Sequence, residues 1–273
     1  MIFSNIDFKT MVDRIDAFRE RAVEGIPDGE CVSEVSNLFG ESYSFDTALH
    51  NYKAGTTFYR ARAIPDDDTL LPLRTMSQVG DAWEPPAHVV KQQGRLNACG
   101  QSILYCCADD PQLAINEARA RFNKHIAIIV YKAKRPINFS IIGGPRQPSK
   151  IHDPRSNLFY SFMEDEFSIF VSQGEEGRYS ITRAIADTFY NYPEQDAWCY
   201  RSVQSNEKFN TAFLPGKSKG CLSLSGVMIC NLQDSLAQSL SVKLVVDFDG
   251  TTGCARYHKI GSLEQKSIFP EIS

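Results

Sequence analysis

No apolar run in this chain approaches the roughly 20 residues that a membrane-spanning helix needs, and no two of its cysteines form a C-x-x-C pair. The first absence leaves no membrane-spanning helix to be read from the sequence. The opening residues, Met1-Ile2-Phe3-Ser4-Asn5-Ile6-Asp7, lack a basic region followed by an apolar stretch, so no signal peptide is expected and the cytoplasm is the expected compartment. The second absence removes the commonest zinc and redox patterns. The eight cysteines, at 31, 99, 106, 107, 199, 221, 230 and 254, are expected as reduced thiols. Adjacent Cys106 and Cys107 read as small buried hydrophobes. The five histidines (50, 88, 125, 152 and 258) make no spaced pair, and no metal site is expected.

An excess of charge is missing too. The formal net charge is −4 and the pI about 5.8, so the balance does not favour nucleic acid. Basic groups such as Arg119, Arg121 and Lys124 are short, interleaved with apolar residues, and read as solvated faces. Two suggestive motifs are incomplete. Pro215-Gly216-Lys217-Ser218 carries a G-K-S, but a phosphate loop needs a glycine where Thr211 stands. Asp247-Phe248-Asp249-Gly250 offers two carboxylates without the further ligands of a Mg²⁺ site, and reads as a strand followed by a turn.

What is present is an ordinary globular composition, 42% hydrophobic and 23% charged over 273 residues, enough to bury a sizeable core without disulfide or metal staples. Phe8, Met11, Val12, Ile15 and Phe18 fall at helical spacing, and Gly25-Ile26-Pro27-Asp28-Gly29 is expected to stop that helix. Thr57 to Ala63, Ser102 to Cys107, Ile126 to Tyr131 and Val242 to Phe248 read as strands. Helices are expected from Pro111 onward, through Leu113, Ala114, Ala118 and Phe122, and over Ile181 to Tyr190. Pro65 to Asp68 and Pro85-Pro86 bracket a surface loop. Strands and helices mix without regular βαβ alternation, which predicts an α+β fold rather than a doubly wound one. Residues 1–50 read as an N-terminal helical extension and 51–273 as the main domain.

The stretch Gly94 to Glu117 is the most informative. Arg95 precedes a small-residue turn containing Gly100, then comes a strand carrying Tyr105, then a helix carrying Glu117. This order can set a cation, an aromatic ring and a carboxylate around one cleft. Taken singly, each has a plainer reading. Arg95 would be a surface or ion-pair residue, Tyr105 a half-buried strand aromatic, and Glu117 a solvated helix residue pairing Arg121 at i+4. Ser202 alone carries no signal.

Phe58-Tyr59-Arg60, Gly94-Arg95-Leu96-Asn97-Ala98-Cys99-Gly100, Leu104-Tyr105, Ala114-Ile115-Asn116-Glu117 and Tyr200-Arg201-Ser202-Val203 together resemble the RES family. These are bacterial toxins named for their arginine, glutamate and serine. The resemblance runs from about 57 to 228, with Leu96 where an aromatic is usual and Arg201 where a proline is usual. It implies a mixed or antiparallel sheet core of the ADP-ribosyltransferase-like type with flanking helices. It also implies an enzyme whose substrate is NAD⁺, cleaved at the nicotinamide–ribose bond without a metal. Arg95, Tyr105, Glu117 and Ser202 are the implied catalytic residues, and Arg60, Arg95, Tyr105 and Asn97 the implied NAD⁺ contacts. Leu96 is expected to loosen one pocket wall. Members are normally neutralised by a helix-turn-helix antitoxin, so an antitoxin protein is the implied partner. The acceptor stays open among water (glycohydrolase), phosphate (phosphorylase) and protein (ADP-ribosyltransferase). A non-catalytic module that binds NAD⁺ or ADP-ribose is the alternative from another class.

Overall fold

The computed structural model describes residues 2–40, 42–44, 48–120, 124–144, 153–171, 176–232 and 240–272. Strand β1 (Ile2–Ser4) leads into helix α1 (Phe8–Glu24). Asp7 caps that helix by accepting from the Thr10 N–H at 2.9 Å. Met11, Ile15, Phe18 and Ala22 form its buried stripe, while Phe8 is exposed. Gly25 ends α1 at φ 101°, where a residue with a Cβ would be strained. The expected stop is only a break, because α2 (Asp28–Asn37) starts directly after Pro27. Nor are the first 50 residues wholly helical: β2 (Ser42–Ser44) pairs with β1, and β3 (Leu49–Tyr52) joins the main sheet.

Next comes β4 (Thr57–Ile64), then short 3₁₀ turns at Arg74–Met76, Val79–Ala82 and Ala87–Val89 within the expected loop. Strand β5 (Leu104–Ala108) precedes α3 (Pro111–Glu117), which is capped by Asp110 and ends sooner than expected. Arg121 and Phe122 lie outside the described residues. The chain continues through β6 (His125–Ala133), β7 (Ile137–Ile141), α4 (Pro154–Ser168) and α5 (Tyr179–Phe189). It finishes with β8 (Ala197–Ser202), β9 (Ser205–Phe213), α6 (Ser218–Cys221), β10 (Leu222–Leu232), β11 (Leu240–Phe248), β12 (Ala255–Lys259) and α7 (Leu263–Ile268).

Ten strands form one sheet in the order β12-β11-β10-β6-β4-β5-β9-β8-β7-β3. Its pairs are antiparallel except β7 with β8, so the fold is α+β with a large mixed sheet. Side chains alternate across a strand, and this sorts the core. On one face, Phe58, Leu104, Cys106, Ile129, Tyr131 and Phe213 pack as a single cluster closed by Leu73, Met76 and Ala82. The opposite face is covered in two separate parts. Helices α1, α2, α4 and α5 cover Trp198, Tyr200 and Ala212 with an aromatic cluster, in which the Phe39 and Phe159 ring centroids lie 4.7 Å apart. Helices α3 and α7 cover Ala61, Ile126, Ile128 and Val130. The ground between these two covers is the cleft described next.

Among the described residues, no helix is long and apolar enough to cross a membrane.

Candidate active site

Arg95 sits in the turn that precedes β5. Gly94 N–H donates to the Asn97 carbonyl at 2.9 Å, and Gly100 N–H to the Val90 carbonyl at 2.9 Å. Gly100 takes φ 75°, a conformation that costs glycine little. A Cβ at Gly94 would collide with Asn97 Oδ1, so the turn closes tightly only with glycine there. Its geometry is locked from β5: the Tyr105 hydroxyl donates to Asn97 Oδ1 at 3.0 Å and accepts the Leu96 N–H at 3.1 Å. Asn97 is buried and holds Tyr105 in place; neither cavity described below has Asn97 in its wall. Leu96 likewise turns into the core beneath the helices, so the expectation that it loosens a pocket wall is not met.

The Arg95 guanidinium is held above the sheet. Nη2 donates to the Ile169 carbonyl at 3.0 Å and Nη1 lies 3.5 Å from the Glu166 carbonyl, both at the end of α4. Helix C-terminal carbonyls attract cations. The same guanidinium lies 5.5 Å from the Tyr179 ring centroid and 5.9 Å from that of Tyr200.

Glu117 is the last residue of α3, and Ser202 the last of β8. Ser202 Oγ donates to Glu117 Oε1 and accepts the Gln204 N–H at 2.9 Å. The two-residue connection to β9 therefore fixes the hydroxyl, and the hydroxyl fixes the carboxylate. Ser202 is 2% exposed, which suits a holding role. Arg201, found where a proline was expected, pairs with Glu164 of α4 and ties this turn to the helical cover.

Two adjoining cavities meet here. One, of about 200 Å³, is walled by Arg95, Arg119, Tyr179, Gln204 and Phe170. The other, of about 310 Å³, is more apolar and is walled by Tyr59, Ala61, Cys107, Ala114 and Asn210. Glu117, Tyr105 and Tyr200 line both. Burial pushes the Tyr200 phenol well above its ordinary value, with Tyr105 adding to the shift and Arg95 opposing it. Burial also raises Tyr105, against the Leu96 N–H and Arg95. Both therefore stay protonated at neutral pH, and the Tyr105 proton goes to Asn97 Oδ1. Cys106 is pushed up by burial to about 12, and Cys107 is raised by burial as well. Neither offers a thiolate nucleophile.

Arg60 differs from the other expected contacts. It borders the apolar cavity, but its Nη1 donates to the Trp83 carbonyl at 2.5 Å. By alternation along β4, its side chain leaves on the face of Phe58, opposite Tyr59 and Ala61. The structure thus brings Arg95, Tyr105, Glu117 and Ser202 together, sets Asn97 behind Tyr105, and commits the Arg60 guanidinium elsewhere. Arg119, Tyr179, Tyr200 and Asn210 join the site without having been singled out as site residues. Tyr200 shares a strand face with Ser202 two residues on, and that period-two spacing was the available signal.

Away from the cleft, Asp247 accepts from Arg256 Nε at 3.0 Å and pairs with His258 at 2.8 Å. Asp249 caps its own turn through the Thr251 and Thr252 N–H groups, as the strand-and-turn reading expects. The family model described as RES domain matches residues 71–226. No curated protein matches the chain.

Proposed function

The chain belongs to the RES domain family, and from that premise and the geometry of the cleft we propose that it binds NAD⁺ and cleaves the bond between nicotinamide and ribose. The observation that carries this reading is Glu117, held by Ser202 where a cationic and a more apolar cavity meet. A dinucleotide with a charged pyrophosphate at one side of its reactive sugar and a flat heterocycle at the other asks for such a pair of neighbouring spaces.

In the proposed reaction the C1′–N bond breaks and its electron pair goes to the pyridine nitrogen, so nicotinamide leaves neutral. Positive charge is left on the ribose, where the Glu117 carboxylate stabilises it. Tyr105 and Tyr200 supply aromatic faces at the reacting sugar, and Tyr200 a protonated hydroxyl, the Tyr105 hydroxyl being engaged by Asn97 and Leu96. Arg95 offers a planar fork to the phosphates, and Arg119 adds a second cation. Ser202 keeps Glu117 aimed, and Asn97 keeps Tyr105 aimed. An acceptor oxygen then bonds to C1′: water, losing its proton, gives ADP-ribose, whereas phosphate gives the 1-phosphate ester. The same reading extends the ADP-ribosyltransferase-like type to this sheet. It also makes the protein a toxin that depletes NAD⁺, with an antitoxin that would act by covering the mouth, where Phe170 stands exposed.

The test is NAD⁺ loss and nicotinamide release by the purified chain, with and without phosphate, beside Glu117→Ala. Turnover that disappears in the variant supports the reading, and a phosphate requirement identifies phosphorolysis. Intact NAD⁺ after prolonged incubation with folded protein, under both conditions, sinks hydrolysis and phosphorolysis alike. Label transfer from NAD⁺ to an added protein would instead point to ADP-ribosyltransferase activity.

A further inference from the structure

We infer that Arg19 of helix α1 is a positioning residue for Arg95, acting through the last turn of α4. The inference takes the phosphate role of Arg95 from the NAD⁺ reading above and adds the residue that aims it. The family match begins at residue 71, so α1 lies outside it. Arg19 nonetheless reaches α4, where its Nη2 donates to Asp165 Oδ2 at 2.9 Å and its Nε to Glu166 Oε1 at 3.3 Å. The same two residues organise the Arg95 end. Glu166 offers its side chain to Arg19 and its main-chain carbonyl, 3.5 Å away, to Arg95 Nη1. The Asp165 carbonyl accepts the Ile169 N–H at 3.1 Å, and the Ile169 carbonyl accepts from Arg95 Nη2 at 3.0 Å.

An exposed ion pair contributes little, and Arg19 with Asp165 alone would be one. Glu166 is different, because its side chain is 2% exposed. Burial pushes its carboxyl up, while Arg19 and then Arg178 oppose that shift. A buried carboxylate without a counter-charge is strongly disfavoured, so the pair ties α4 to α1 at a fixed place. Arg19 also lies over the Phe162 ring of α4, 5.8 Å from its centroid. Charge and packing thus anchor the helical turn whose carbonyls hold Arg95.

Without Arg19 that turn loses its anchor, and the Arg95 fork loses its fixed origin. The Arg95 charge remains, so phosphate binding weakens without being abolished, and Glu117 keeps its Ser202 contact. Arg19→Met should therefore raise KM for NAD⁺ by about three- to tenfold and leave kcat within about twofold.

Steady-state kinetics of Arg19→Met, Arg95→Ala and the two combined test the route. If Arg19 acts through Arg95, adding Arg19→Met to Arg95→Ala changes KM by less than about twofold. A general loosening of the helical cover would instead multiply the two effects, and that result overturns the inference. Arg19→Met strands a buried carboxylate, so Arg19→Met with Glu166→Gln serves the same comparison if the single variant fails to fold. A folded variant of either kind with the wild-type KM overturns it as well. NMR of the Arg95 Nε–H, identified by its loss in Arg95→Ala, needs no turnover. The Tyr179 and Tyr200 ring centroids, 5.5 and 5.9 Å from the guanidinium, should displace that signal from the position of an exposed arginine. Its return to that position in folded Arg19→Met supports the inference even if NAD⁺ is never cleaved. A signal unchanged by Arg19→Met overturns the inference and leaves the cleavage reading intact.

Discussion

The two faces of the ten-stranded sheet are built from the same strands and differ in how they are covered. On the face of Phe58, Phe213 and Tyr131, one continuous cluster is sealed by the segment around Leu73, Met76 and Ala82. On the face of Tyr105 and Tyr200, helices cover two patches and leave the cleft between them. The difference separates stability from chemistry by strand alternation alone. Neighbouring residues on one strand face opposite ways: Cys106 packs in the closed cluster, although it also borders the apolar cavity, while Tyr105 and Cys107 face the cleft. Substitutions that pair one face with the other can break this division.

The largest effect is expected on the closed face. Phe213 is fully buried and meets Phe58 edge-on, with ring centroids 5.6 Å apart. Phe213→Ala should cost about 3–5 kcal/mol, a fall in Tm on the order of 10 °C. Below that transition the KM for NAD⁺ should stay within about twofold of wild type, since no cleft group depends on the ring. Thermal unfolding followed by kinetics checks both halves. A several-fold rise in KM in the folded variant would mean that the two faces are not independent.

The two arginines give a sharper comparison. Arg95 lies in the cleft between Tyr179 and the α4 carbonyls, whereas the Arg60 guanidinium binds the Trp83 carbonyl. Arg95→Ala should raise KM by on the order of 10- to 30-fold, as expected for loss of a charge-assisted contact. Arg60→Ala should instead lower stability by about 1–2 kcal/mol and leave KM alone. If Arg60→Ala raises KM as far as Arg95→Ala does, the guanidinium reaches substrate and the division by faces fails.

These two residues also mark what could be read from the sequence. Both arginines sit in motifs resembling the family, and motif order alone gave them similar roles. Only strand alternation, once the pairing of β4 with β6 is known, sends Arg60 to the far side. The strongly periodic elements, α1, β4, β6 and β11, were legible because burial writes its period into the residues. Strand β3 and helix α2 were not. β3 is a four-residue edge strand with alternating partial burial, and α2 begins at a Pro-Asp-Gly that locally favours a turn. Asn210 was invisible for another reason: its place at the cleft depends on pairing with Cys107, 103 positions away.

The smallest effect belongs to the pair Arg135 and Asp196, remote from Glu117 and useful as a control for both faces. Asp196 accepts from Arg135 at 2.7 and 2.8 Å and from the Asn138 N–H at 3.1 Å. Burial opposes ionisation of Asp196, but these hydrogen bonds outweigh it and hold the carboxyl below its usual value. A carboxyl depressed in the folded state contributes its stabilisation above the ordinary value near pH 4 and loses it as pH falls through the folded value. The side chain of Arg135 is half exposed, so screening limits the contribution of the pair to about 1–2 kcal/mol. Asp196→Asn should therefore lower stability by that amount at neutral pH and converge with wild type below about pH 3. Nicotinamide release at neutral pH should be unaltered. A stability difference that persists undiminished into acid would show that the asparagine damages packing rather than removing a charge.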